Sequence, residues 1–481
     1  SGVAWASRSS NISSEYWATI LPGGAALDLS MDHGSPEALL PSNQMPLREP
    51  PPHVKATFGL MGVVGMVVNF VLFIMDIISD ALLAFVLWKQ AKEDEFSTEP
   101  ITWFIITLCI IVLPMVVINI FSLWWYWQNK QCLGDYCVFH KMSALQTVVR
   151  VIFHIILLGP LIRYVDIIRY GVKMKREVKH VEMGHNHAAV LRRTPKGEVH
   201  AVLQMIISRD TAMLDMMHSF LQDAPQLIFQ IFLLYRSPGI ITGKEDATVL
   251  TTTVQIWKIL LGVFAMSWSL VSYQDELRRS VPDKQQLSCC ATTTCLLWRA
   301  SMLASRIITI GSFSAILHPN QDPRSVYLLR WTDSQGNIVI AYPIVTVCVL
   351  AAHWLIMTAW IYAQKTTFCA QGDNSTHPVL EFLYNCVIGF VHVFCYINVK
   401  DTPSRKRMVF FYAFCLIENS AMIAIWYVQM VVYPESIRVV IVFTVEVLWV
   451  IGVCSVIGYY AFLHPDHTSI IHQSNSASWR Q

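Results

Sequence analysis

Charge is what this sequence has least of. Asp, Glu, Lys and Arg make up 14% of its 481 residues, against 54% hydrophobic, and mean hydropathy is positive. So few charges cannot solvate a globule of this length, and the chain reads as a polytopic membrane protein. The 35 basic and 33 acidic residues nearly cancel, to +2. That excludes the basic surface a nucleic-acid partner would need. Also missing are a phosphate-cradling glycine loop, a dinucleotide fingerprint, a nucleophile elbow and paired zinc spacings, so neither an enzyme, a cofactor nor a metal is expected. Of the twelve cysteines, Cys109, Cys348, Cys386, Cys395, Cys415 and Cys454 lie in apolar runs, where a thiol behaves as a small core hydrophobe. No signal-peptide succession marks the visible start.

What is abundant is apolar length. After a Ser-, Pro- and Gly-rich arm over residues 1–56, expected to be disordered, ten apolar segments run over 57–88, 101–127, 146–170, 203–235, 252–276, 288–317, 338–364, 379–398, 408–432 and 436–463. Two look unable to cross. Segment 146–170 is interrupted by Gly159-Pro160 and then by Arg163, Asp166 and Arg169, so its apolar part is too short to span and a re-entrant hairpin is expected. Segment 379–398 is short, holds Gly389 and His392, and occupies the same ordinal place in the second half; it is read the same way.

Charge bias supports this count. A re-entrant third segment keeps the basic loop 171–199 on the same side as Arg278, Arg279 and Lys284 and as Lys400, Arg405, Lys406 and Arg407, which the positive-inside rule makes cytoplasmic. The expected fold is therefore all-α: eight transmembrane helices plus two re-entrant helices, in two similar halves over 57–277 and 278–463, with a tail over 464–481 and both termini cytoplasmic. Cys132, Cys137 and Cys369 should share the cytoplasmic side as reduced thiols.

The charges inside apolar segments are the candidates for function. An ionised side chain at bilayer depth costs about 2.5–3.5 kcal/mol on insertion scales and marks a partner or a water-lined path. In "FIMDIISDALLAF", Asp76 and Asp80 are four residues apart and share a helical face. Asp215, Asp223 and Glu418 are further acids, and Arg150, Arg163, Arg299 and Arg306 are the candidate counter-charges. Together the nine are expected to form a lipid path or a buried charge network. Lesser features have plainer readings. "HNH" at 185–187 belongs to a solvated loop, "WWYW" at 124–127 to an interfacial aromatic belt, and the sequons at Asn11 and Asn374 fall on the cytoplasmic side, where they are not used.

The blocks "LFIMDIISDALLAFVLW", "SFLQDAPQLIFQIFLLY", "WSLVSYQDELRR", "LWRASMLASRIITI", "INVKDTPSRKRM" and "CLIENSAMIAIWY", in that order, resemble the XK-related family, named for the Kx blood-group membrane protein. The resemblance implies eight crossings with two partly inserted helices. It also implies ATP-independent phospholipid scrambling, with phosphatidylserine exposed at the plasma membrane of dying cells. Other members resemble non-catalytic adaptors for a single-pass membrane partner or a lipid-transfer protein, which is the alternative; a substrate transporter is a third reading. Many relatives carry a glutamate where this chain has Gln222, the acid here standing one residue on at Asp223. The paired-aspartate caspase site of some relatives is not matched in the tail, where only Asp466 follows Phe462.

Overall fold

The computed structural model describes residues 60–93, 99–128, 144–183, 188–193, 195–236, 249–279, 286–316, 342–364, 378–398, 405–431 and 433–464. The helices are α1 (Leu60–Glu93), α2 (Glu99–Gln128), α3 (Ala144–Ile155), α4 (Gly159–Arg176), α5 (Pro195–His218), α6 (Ala224–Arg236), α7 (Val249–Arg279), α8 (Cys289–Ser314), α9 (Tyr342–Ala363), α10 (Pro378–Val391), α11 (Arg405–Gln429) and α12 (Glu435–Gly458). A π turn, Ser219–Asp223, joins α5 to α6, and another, Tyr459–Leu463, follows α12. One departure from an all-α fold lies in the basic loop: β1 (Val178–Met183) and β2 (Ala188–Arg193) pair antiparallel, from Val178 opposite Arg193 to Met183 opposite Ala188. The arm, the two sequons, the "HNH" stretch, Cys132, Cys137, Cys369 and the tail beyond His464 lie outside the described residues.

Among the described residues, six helices are long and apolar enough to cross a bilayer: Gly62–Lys92, Ile101–Tyr126, Thr252–Arg279, Tyr342–Ala363, Lys406–Gln429 and Glu435–Leu463. Their outward faces are apolar, as lipid contact demands. On α1, Ile78 and Phe85 are 54% and 55% exposed, while Asp76 and Asp80 are 6% and 3% exposed. This reverses the pattern of a water-soluble helix. The continuous run 195–236 and α8 are long enough but too polar, and the other helices sheathe them. Among the described residues, most of α8 from Trp298 onward is buried, and Ala201 to Leu214 of α5 are buried almost without interruption.

Segment 146–170 breaks where the sequence suggested, whereas in 379–398 Gly389 lies inside α10, which ends at Val391. The ladder of α3 ends at Ile155, Leu157 adopts a left-handed φ of 63°, and α4 restarts at Gly159-Pro160, proline being suited to a first turn. The resulting α3–α4 hairpin stands against the middle of α2: Gly159 N–H donates to Asn119 Oδ1 at 3.0 Å and Ser122 meets His154 at 2.8 Å. Deeper toward the α2 C-terminus, Tyr126 bonds Asp166, so α4 runs parallel to α2. In the same sense α10 runs parallel to α9, with Trp354 donating to the Cys386 carbonyl and Thr358 seated on Gly389. Arg407 then donates to both Gln364 beyond α9 and Asn398 beyond α10.

Basic residues gather at one end of the bundle. Gly62, Gln204, Arg279 and Ser288 line one cleft there, Arg278 reaches His464, and the start of α11 packs on the start of α8 through Met408, Phe411, Ala291 and Cys295. At the opposite end Leu87, Leu233, Val254 and Ala315 form a small apolar cluster. Contrary to the aromatic-belt expectation, Trp125 and Tyr126 point inward and are buried. They are wanted there by Arg163 and Asp166.

Candidate functional site

The nine charges fall into three groups, the first two adjoining at Asp215, which lines a cavity with Asp76 and Asp223. In the first, Asp76 and Asp80 project from the middle of α1 onto Lys258 of α7, a residue with no exposure at all. Its ammonium contacts Asp76 directly, lies 2.8 Å from Asp80 and 3.4 Å from Asp223. Gln222 donates to Asp76 at 3.2 Å and also to Asp80. His218 bonds Gln222 at 2.9 Å and lies 3.9 Å from Asp76.

The backbone explains how Gln222 and Asp223, consecutive in sequence, both reach this group. Pro225 has no N–H to give to the carbonyl of Leu221, and its ring crowds that carbonyl. The ladder widens instead, and Ala224 N–H bonds Ser219, five residues back. Widened turns of this kind recur at functional sites. The widened turn therefore brings both Gln222 and Asp223 into the cluster.

The second group holds the α3–α4 hairpin. Arg150 grips Asp166 with both oxygens at 2.6 and 2.7 Å, and Tyr126 donates to the same carboxylate at 2.9 Å. Arg163 donates to Ser122 Oγ and to the Ser122 carbonyl, both at 2.7 Å, with its guanidinium 4.3 Å from the Tyr126 ring centre. Asp215 lies on α5 and accepts from Tyr164 of α4 at 2.7 Å.

The third group belongs to α8. Arg306 pairs with Glu418 of α11 at 2.6 Å, and His353 of α9 meets the same oxygen at 2.9 Å. Arg306 also donates to Asn419 and to the Val393 carbonyl, while Arg299 donates to the Tyr396 carbonyl at 2.8 Å. The chain beyond α10 is not helical, so its carbonyls lack ladder partners, and these two arginines supply them. Of the four arginines expected to face acids, Arg150 and Arg306 do so, whereas Arg163 and Arg299 hold backbone and hydroxyl oxygens.

Sequence reasoning missed Lys258, His218, Gln222 and His353. Lys258 had a signal, being the one lysine inside the apolar run 252–276. The others, polar residues inside otherwise apolar helices, had only that.

Toward the basic end lies a cleft whose walls stop short of the first group, at Asn69 and Trp268, which are hydrogen-bonded to each other. It has a volume of about 250 Å³ between α1, α4, α5, α7 and the start of α8, with Asn69, Ser208, Ser272, Asp275, Glu276 and Arg279 on its walls. Asn69 and Trp268 are shared with a smaller cavity lined by Asp76, Asp215, His218 and Asp223. No group of His, Cys, Asp and Glu suited to a metal occurs among the described residues. The arrangement can offer hydrogen bonds and both signs of charge to a polar group brought to mid-helix depth.

The chain is similar to XK-related protein 9 of Tetraodon nigroviridis, 24% identical over 412 residues, covering 82% of this chain and 89% of that one. XK-related protein 8 of Gasterosteus aculeatus is 22% identical over 401 residues, covering 82% and 81%. Residues 64–320 and 334–465 match the XK-related protein family; buried mid-helix charges, sheathed polar helices and a match spanning every helix after the start of α1 agree, and the chain belongs to that family.

Proposed function

We propose that this protein is a phospholipid scramblase, letting lipids cross between leaflets without ATP and so exposing phosphatidylserine at the plasma membrane. One observation carries this reading: the Asp76–Asp80–Asp223–Lys258 cluster stands at mid-height of helices whose outer faces are apolar, beside a small cavity that shares Asn69 and Trp268 with a larger cleft toward the basic end. A headgroup loses its hydration on entering hydrocarbon, and alternating acidic and basic partners restore polar contacts there. The gradient supplies the direction of flow. We read the run 195–236 and α8 as two crossings beside the six apolar helices, with α3–α4 and α10 re-entrant from a cytoplasmic basic end. That gives eight crossings, two re-entrant helices and two similar halves divided near residue 278.

The second reading is a non-catalytic adaptor for a single-pass membrane protein or a lipid-transfer protein. The tight pairing of Arg150 with Asp166 and of Arg306 with Glu418 favours it, since such pairs also serve only to fix helix positions. Reconstitution separates the two. Vesicles holding the protein and a fluorescent lipid in both leaflets should lose signal beyond the outer-leaflet half when an impermeant quencher is added. A stop at half, with the protein folded, would reject the scramblase and favour the adaptor.

A further inference from the structure

Beyond the charge cluster, on the side away from the cleft, α6 carries two buried glutamines. Gln226 and Gln230 have no exposure, and neither amide oxygen nor amide nitrogen of either has a hydrogen-bond partner among the described residues. They follow Asp223 by three and seven residues and so share its helical face. Gln255, three residues before Lys258 on α7, is 2% exposed with its Oε1 unpartnered, and Thr107 of α2 is fully buried with its hydroxyl unpartnered. These side chains belong to adjoining helices. Trp103, one turn from Thr107, packs on Phe229 and Phe232 at 5.6 and 5.7 Å, and Leu233 clusters with Val254 and Leu83.

Buried amides left without partners each forfeit a desolvation cost, and proteins meet it with ordered water where the site is polar. The seam's chemistry is selective. It is neutral, and each amide both donates and accepts, as water does. Its sides are closed by Leu227 against Gly262 and Ile231 against Gly311. One end meets the cluster, where Asp76 and Asp80 of α1, His218 of α5, Asp223 and Lys258 of α7 face each other and Asp215 lines the adjoining cavity. The other end points to the apolar cluster opposite the basic end.

We propose that this seam holds a file of water that carries protons to and from the buried carboxylates, giving the protein a passive proton conductance separate from lipid movement. One proton enters at one end for each that leaves at the other, driven by the membrane potential. The proposal does not rest on the scramblase reading.

The full chain, reconstituted with a trapped pH-sensitive dye and a potassium diffusion potential, should acidify or alkalinise vesicles faster than protein-free controls. Gln226→Leu with Gln230→Leu should cut that rate at least about fivefold, with lipid flux in the same vesicles unchanged. If the seam is dry, the leucine pair should raise the unfolding temperature and leave proton flux alone, which would overturn the proposal, as would a wild-type rate no faster than controls. Should the pair fail to fold, Gln230→Leu is compared with Gln230→Ser: loss in the first and retention in the second supports the file, and equal rates overturn it. Proton flux without lipid flux would remove the scramblase reading and leave this one standing.

Discussion

Lys258 is the side chain on which the first cluster turns, because it is the cation that three carboxylates share. Lys258→Met should cost about 3–5 kcal/mol, the usual penalty for leaving buried charge without its partner. A fall in the unfolding temperature of the detergent-solubilised protein checks this. Asp76→Asn or Asp80→Asn alone should be milder, since one near carboxylate remains. Changing both leaves the ammonium with Asp223 at 3.4 Å and should cost about 1–3 kcal/mol more than either single change; a double variant as stable as wild type would show that the pair is not held by Lys258. Asp76 and Asp80 were legible in the sequence because a carboxylate in an apolar helix is conspicuous. Gln222, neutral and displaced by the π turn, was not, and neither was the preference of Arg163 and Arg299 for uncharged oxygens, because arginine's five donors suit a carbonyl or hydroxyl as readily as an acid.

At the scale of elements, helix extents follow the apolar runs closely, and Gly159-Pro160 marks the hairpin bend because proline and glycine act locally. The β1–β2 hairpin escaped because its strands are short and sit in a basic loop with no alternation strong enough to stand out. Gly389 was noticed as a breaker, yet its use is contact: a Cβ there would lie 2.9 Å from both Cα and N of Thr358. Small residues let membrane helices approach at backbone distance. Gly389→Ala should therefore push α10 off α9 and cost about 1–3 kcal/mol, while Gly65→Ala, where no neighbouring atom lies within 4 Å, should be neutral or slightly stabilising. Parallel melts of the two variants test the contrast, and equal effects would refute it.

For the whole molecule, sidedness decides which leaflet the cleft faces. Cys289 and Cys290 are exposed at the start of α8, at the end where Arg278, Arg279 and the start of α11 gather. If that end is cytoplasmic, a version keeping only these two cysteines should resist an impermeant thiol reagent on intact cells and react after permeabilisation. Labelling of intact cells would invert the topology. The division of charges into three groups was beyond the sequence, since it depends on which helices become neighbours across 100 residues or more, as in Arg306 with Glu418.

The sheathing of α8 has a consequence for how the protein is made. Six of the described helices are long and apolar enough to cross a bilayer, but α8, a crossing in the proposed arrangement, carries Arg299 and Arg306 near its middle, and each costs about 2.5–3.5 kcal/mol at the bilayer centre. Its partners for those charges, Glu418, Val393 and Tyr396, are synthesised some 90 to 110 residues later, as the numbering shows. On the proposed arrangement, α8 is expected to insert stably only once α10 and α11 have emerged. A chain cut after α9 should leave α8 poorly inserted and prone to degradation, and restoring α10 and α11 as a separate co-expressed piece should rescue it. Protease protection of α8 in the two cases reads the difference.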